Sequence, residues 1–172
     1  ITSNKLDLTG TFNFSSGTLQ AGTPSADADV ATRAFVLDHV QGLTWKESCR
    51  VATTAQLAAN YANGSSGVGA TLTATSNGAI AIDGVTLSVS NRVLVKDGCS
   101  DSEGAAANGI YTVTTVGDGS SAYVLTRALD QNQADEFASS AVFMLEGSVN
   151  DNSGWTCTNN TAPNIGTTAI AF

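Results

Sequence analysis

Hydrophobic and polar residues alternate with a period of two in several short runs after residue 43. The clearest run is Val85, Leu87 and Val89. This period is typical of β-strands with one buried face. Asn-Gly and Asp-Gly dipeptides, which favour tight turns, separate the runs. The pattern predicts a mainly β domain over residues 43–172, built as a compact barrel or sandwich of about eight to ten short strands.

Individual segments of this domain carry sharper expectations. Residues 45–52 are predicted to form one strand, and residues 54–62 one or two helical turns. The sequence around the Asp-Gly at residues 118–119 predicts a hairpin. Residues 130–140 are polar and are expected to be helical or irregular. Residues 141–145 are continuously apolar, which predicts a strand buried on both faces.

The first 26 residues differ from the rest because they are polar and rich in Gly, Thr and Ser. Phe12 and Phe14 lie two residues apart among polar neighbours, as in a half-buried strand. The stretch has too few apolar residues for a core of its own. We therefore predict that residues 1–26 form an extended docking arm, with Phe12 and Phe14 buried against a partner.

Residues 27–42 are predicted to form a short helix that ends near Gly42. Val30, Ala34, Leu37 and Val40 lie on one stripe of it. Such a short helix is marginal in water unless it packs against something. It is either an ordinary amphipathic helix on the domain core or a seam that holds several copies of the chain together. We favour the seam because the arm before it has no core.

The charge balance excludes some partners. Fifteen acidic against seven basic residues give a net charge of −8, whereas a nucleic-acid binder needs a basic face. No apolar run approaches the roughly 18 residues of a membrane span, and no secretory signal is visible. The chain starts with Ile rather than Met, so we expect that it was processed or belongs to a longer chain.

Catalytic and metal-binding patterns are weak. His39 is the only histidine, which leaves no second choice for a Ser-His or Cys-His pair. Cys49, Cys99 and Cys157 have no paired metal-ligand spacing, so we expect free thiols, although one disulfide is possible. We predict no enzyme, no catalytic residue and no cofactor or metal.

Acidic residues leave two other interpretations open. Asp97, Asp101 and Glu103 form either a solvated loop or a calcium site, although their spacing is not that of an EF-hand. Paired carboxylates for glycoside hydrolysis are also compatible with the sequence, but few aromatic residues are available to line a sugar cleft. We favour the solvated loop and no hydrolase.

Several segments follow one another in a recognisable order: DVATRAFV at residues 29–36, GLTWKESCRVAT at 42–53, IDGVTL at 82–87, RVLVKD at 92–97, NGIY at 108–111, LTRALD at 125–130 and GW at 154–155. Together and in this order they resemble a structural module of bacteriophage tail fibres and other virion proteins, in which DVATRAFV is similar to the helix DAATKAYVD. Ser90-Asn91 departs from the Gly-Asp that often precedes RVLV in that family, and the loop with Cys99 and Glu103 is longer.

The resemblance implies a virion structural protein, often a trimeric fibre, with no catalytic residues to carry over. We therefore expect the proximal, N-terminal part of a trimeric tail fibre that attaches to the particle and supports host adsorption. The alternatives are a capsid decoration or cement protein and a carbohydrate-binding or depolymerase module. The expected partners are other copies of the chain, tail, baseplate or capsid proteins, and a host surface glycan. The expected location is the virion, assembled in the host cytoplasm.

Overall fold

Short strands follow one another along residues 42–172, the part of the chain that the computed structural model describes. The predicted mainly β class is confirmed. The strands are β1 (Thr44–Trp45), β2 (Val51–Ala52), β3 (Ala59–Ala62), β4 (Thr71–Ala74), β5 (Ala81–Ile82), β6 (Val85–Thr86), β7 (Arg92–Val95), β8 (Gly109–Thr115), β9 (Val124–Arg127), β10 (Ser140–Phe143) and β11 (Gly154–Thr156). Three 3-10 helices join them, at Gly104–Ala107, Leu129–Gln131 and Ala134–Glu136.

The strands form a six-stranded, a three-stranded and a two-stranded sheet. The large sheet has the order β2-β7-β8-β9-β4-β3, with β2 parallel to β7 and every other neighbour antiparallel. The small sheet has the order β1-β10-β11, and β5 and β6 form a hairpin. None of these sheets closes on itself within residues 42–172, so the barrel alternative is wrong for this part of the chain.

Apolar side chains cover both faces of the large sheet. Along β7, Val93 and Val95 belong to a cluster on one face, whereas Leu94 belongs to the cluster on the other. The second cluster also contains Val142 and Met144 from the region of the small sheet, so the small sheet packs on this face. Alternation alone suggested strands with one wet face, but β7 is buried on both faces because its sheet is covered twice.

Two local predictions were wrong. Residues 45–52 form two strands in different sheets, because the chain leaves β10 and then pairs with β7. Residues 59–62, expected to be helical, form β3, where pairing with β4 overrides the helix propensity of alanine. The predicted hairpin does form, as β8 and β9 with a bulge.

The predicted arm at residues 1–26 and nearly all of the predicted helix at residues 27–42 lie outside the described residues. All six predicted docking and seam residues, Phe12, Phe14, Val30, Ala34, Leu37 and Val40, lie there too.

Candidate functional site

Four large apolar side chains are exposed on the small sheet or directly beside its strands β1 and β10. They are Leu43, Trp45, Phe143 and Leu145, with exposed fractions of 48, 61, 37 and 54%. We call this set the apolar face. A contiguous exposed apolar set marks an interaction site more often than single exposed residues do. The other exposed large apolar residues of 42–172 lie in four separate segments: Val68, Val89, Leu129 and Val149.

The register of the small sheet explains why these side chains share one side. Trp45 on β1 lies opposite Ala141 on β10, and Phe143 lies opposite Gly154 on β11. Directly opposed residues point to the same face of a sheet, and so do residues two apart on one strand. Leu43 and Leu145 continue these two rows.

Gly154 leaves room for the indole ring of Trp45 on this face. A Cβ atom at Gly154 would lie 3.8 Å from Cη2 of Trp45, so the ring extends from β1 toward β11. Ala141, between these strands, is buried although it is on the outer side. The indole therefore shields the middle of the small sheet and itself stays exposed.

The opposite side of the small sheet faces the protein interior. Val142 and Met144 are fully buried in the second cluster, and Trp155 packs against it. Nζ of Lys96 lies 4.6 Å from the ring centroid of Trp155, a cation–π contact. Phe143 and Leu145 alternate with these buried residues and point outward. The prediction of a strand buried on both faces was therefore wrong at the apolar face.

A buried arginine organises the interior of the large sheet. Arg127 is 2% exposed, and its guanidinium donates to the carbonyl oxygens of Ala107 and Asn108 and to the hydroxyls of Tyr61 and Tyr111 at 2.8–3.2 Å. The charge also lies over aromatic rings, 4.7 Å from the ring centroid of Tyr111. A buried charge needs such partners to offset its lost hydration. Arg127 therefore has a structural role, because it holds these segments of the interior together.

Gly109 provides the space for this guanidinium. A Cβ atom there would lie 2.1 Å from Nη1 of Arg127, and Gly109 has φ +145°, which side chains rarely adopt. Two of the segments that carry the family resemblance, NGIY and LTRALD, thus meet in one packing unit. Burial also raises the pKa of the Tyr111 hydroxyl, although the charge of Arg127 opposes the shift.

A buried carboxylate ties distant loops together at the β5–β6 turn. Asp83 accepts the backbone N–H groups of Ser148, Val149 and Asn150 and the Nδ2 group of Asn150, at 2.8–3.1 Å. Burial alone would raise the pKa of Asp83. The hydrogen bonds from residues 148–150 outweigh burial, so its pKa is lowered from 3.8. Asp83 therefore serves as an anchor for this loop.

In the acidic loop of Asp97, Asp101 and Glu103, each carboxylate accepts a hydrogen bond from the protein itself. Asp97 accepts from Thr53 and Lys96, and Asp101 accepts from the backbone N–H of Tyr61. Glu103 accepts from the neighbouring Ser102. Within residues 42–172 the structure has no group of three or more His, Cys, Asp or Glu side chains placed to hold a metal ion. The geometry thus offers no support for calcium in this loop.

The cysteines behave as small apolar residues. Cys49, Cys99 and Cys157 are free and buried. Burial raises the pKa of Cys49 and of Cys99 to about 12, and in Cys99 the carboxylate of Asp101 adds to the effect. Burial also raises the pKa of Cys157. None of them has the lowered pKa of a nucleophilic thiol.

Other concave or glycine-rich features carry little chemistry. A depression of about 170 Å³ is lined by residues 53–57 and 81–83, smaller than the roughly 300–1,000 Å³ of small-molecule sites. In a glycine-rich loop at residues 63–69, the N–H groups of Ser65, Gly67 and Val68 are bonded to carbonyls of the loop itself. They are not free to hold a phosphate. Within residues 42–172 the structure contains no helix with the length and apolar character of a membrane span.

Sequence reasoning placed the candidate site before residue 42 and did not identify the apolar face. The signal was present in Leu43 and Trp45, two apolar residues separated by a polar one. Their exposure depended on what covers the small sheet, which periodicity does not report. Comparison with known proteins found no matching family model, no matching curated protein and no matching solved structure.

Proposed function

We propose that the chain is a structural component of a bacteriophage virion, the proximal, N-terminal part of a trimeric tail fibre that attaches to the particle and supports host adsorption. The observation that carries this proposal is the apolar face. It begins at Leu43, directly after the segment whose pattern predicts an assembly helix. An exposed apolar face at this position favours a domain that packs against other protein surfaces.

The segments of the family resemblance support a scaffolding role. RVLVKD contains β7, NGIY begins β8, and LTRALD contains most of β9. Most of their apolar side chains fill the two main clusters, and Arg127 forms the polar centre between strands. Leu129 of LTRALD is the exposed exception. The resemblance therefore concerns residues that specify the fold, as expected for a structural module.

Each part of the chain has a place in this proposal. Residues 1–26 dock on a tail, baseplate or capsid protein through Phe12 and Phe14. The helix at residues 27–42 sets the number of copies through Val30, Ala34, Leu37 and Val40. The β domain is a sandwich-like body, an arrangement supported by the cluster that the small and large sheets share.

The first test is the mass of the full chain in solution by light scattering. We expect a value close to three times 17.4 kDa. A strict monomer over the whole accessible concentration range would contradict the trimeric fibre.

The second test locates the chain in phage particles by immunogold electron microscopy with an antibody against it. Labelling of the tail supports the fibre, and labelling of the head surface supports a cement protein instead. Reducing-sugar release from host polysaccharide by the purified chain would indicate a depolymerase.

A further inference from the structure

We propose that the apolar face is a contact between copies of this chain, and that the faces of the three copies converge on the fibre axis. This inference rests on the proposed function, because the predicted helix is what brings the copies together. The inference goes beyond the proposed function because it identifies a second contact between copies, on the surface of the β domain rather than in the helix.

The position of the face along the chain supports this occupant. The predicted helix ends at Gly42, and Leu43 and Trp45 follow one and three residues later. Packed helices have axes about 8–10 Å apart, and an extended chain advances at most about 3.5 Å per residue. Trp45 therefore lies within roughly 10 Å of Gly42 along the chain. In the proposed assembly, association through residues 27–42 brings the chain just before β1 of every copy together.

Electrostatics also favours this surface over others. Each copy carries a net charge of −8, so contacts between charged surfaces of identical copies bring carboxylates together. The apolar face contains no ionisable side chain. Its acidic neighbours are both exposed and both paired: Glu146 with Arg50, Oε2 to Nη2 at 3.1 Å, and Glu47 with Arg92, Oε2 to Nη1 at 3.8 Å. A contact between copies at the apolar face therefore adds no unpaired carboxylate.

The apolar face is small, so it fits a contact that adds to a second contact between the same copies. A free-standing interface uses about 20–30 residues on each side, far more than the four large side chains of the face. The face therefore needs a tether, and the predicted helix supplies it. Burial of Trp45 in the contact would make it the main energetic anchor, because tryptophan is prominent among interface hot spots.

The test compares charge substitutions on and off the face in the full-length chain. Trp45→Glu and Leu145→Glu place a carboxylate in the proposed contact. Leu129→Glu and Val149→Glu place the same charge at other exposed apolar positions. Sedimentation velocity over a dilution series gives the midpoint concentration of dissociation. We expect the two face variants to raise it at least about tenfold and the two controls to change it less than about twofold.

A second measurement does not depend on how well the charged variants fold. Trp45 and Trp155 are the two tryptophans of the chain, so Trp155→Phe leaves Trp45 as the sole indole reporter. We expect its emission to be blue-shifted in the oligomer and to move to longer wavelength as the protein dissociates on dilution.

The outcomes separate this inference from the proposed function. An oligomer whose face variants dissociate like the wild type, with Trp45 emission that does not follow dissociation, would overturn the inference and leave the trimeric fibre standing. A monomer at every concentration would overturn both. A Trp45 emission that responds to host polysaccharide and not to dilution would identify the face as a glycan platform and overturn the inference.

Discussion

Asp83 should contribute more stability than an ordinary turn aspartate, because its carboxylate holds a loop from a distant part of the chain. In Asp83→Asn, one oxygen becomes an NH₂ group that faces the donors of Asn150, so two hydrogen bonds to a charged group are lost. Each is worth about 1.5–3 kcal/mol. Asparagine tolerates the positive φ of 51° at this position, so the backbone adds little. Both bonds come from one residue and end on one oxygen, so their losses do not add fully. We expect the free energy of unfolding to fall by about 3–4 kcal/mol.

Urea unfolding of the full-length chain at pH 7, followed by tryptophan fluorescence, measures this loss. With an m-value of about 2 kcal/mol/M, the midpoint should fall by about 1.5–2 M. Asp118→Asn is the matched control, because the carboxylate of Asp118 accepts hydrogen bonds only from Ser120 and Ser121 of its own exposed turn. We expect a clearly smaller change there. Equal losses in the two variants would refute the reasoning.

The pH dependence gives an independent check on Asp83. Its folded-state pKa is lowered from 3.8, so its carboxylate stabilises the fold fully above the unfolded-state pKa. That contribution is lost as the pH falls below 3.8 and through the folded-state pKa. The difference in stability between the wild type and Asp83→Asn should therefore be constant near neutrality and narrow below about pH 3.8. A constant difference down to pH 2 would contradict the anchoring role of the charge.

Two further predictions concern the interior. Arg127→Lys should lower the free energy of unfolding by about 3 kcal/mol, because one ammonium group cannot reach all four acceptors and loses the ring contacts. Gly109→Ala should lower the free energy of unfolding less in the Arg127→Lys background than in the wild type. Additive losses in this double-mutant cycle would refute the contact between Gly109 and the guanidinium. Cys49, Cys99 and Cys157 should react with a thiol reagent at pH 8 on the order of a hundred-fold more slowly in the native chain than in urea; rapid native labelling of any of them would contradict their burial.

Local patterns were sufficient for the elements that depend on neighbours in sequence. Val93 and Val95 predicted a strand, and the Asp-Gly at residues 118–119 predicted the hairpin of β8 and β9. The mainly β class followed from many short alternating runs between turns, and the free state of the three cysteines from their lack of paired spacing. Side-chain periodicity and turn chemistry are properties of a few adjacent residues, so they can be recognised without a fold.

Pairing between distant residues decided the rest. Residues 59–62 became β3 because β4 lies beside them, and residues 45–52 divided between two sheets because β10 and β7 lie far along the chain. Arg127 is buried because carbonyls and tyrosines from other segments surround it.

The exposure of the apolar face also depended on packing between distant parts of the chain. Phe143 and Leu145 belong to a run that reads as fully buried, and they are exposed because, within residues 42–172, the small sheet is covered on one side only. The sequence alone determined which residues can pack in a hydrophobic core and where the chain turns. Which apolar residues the fold leaves at the surface depends on how the sheets stack, and only the tertiary structure decides that.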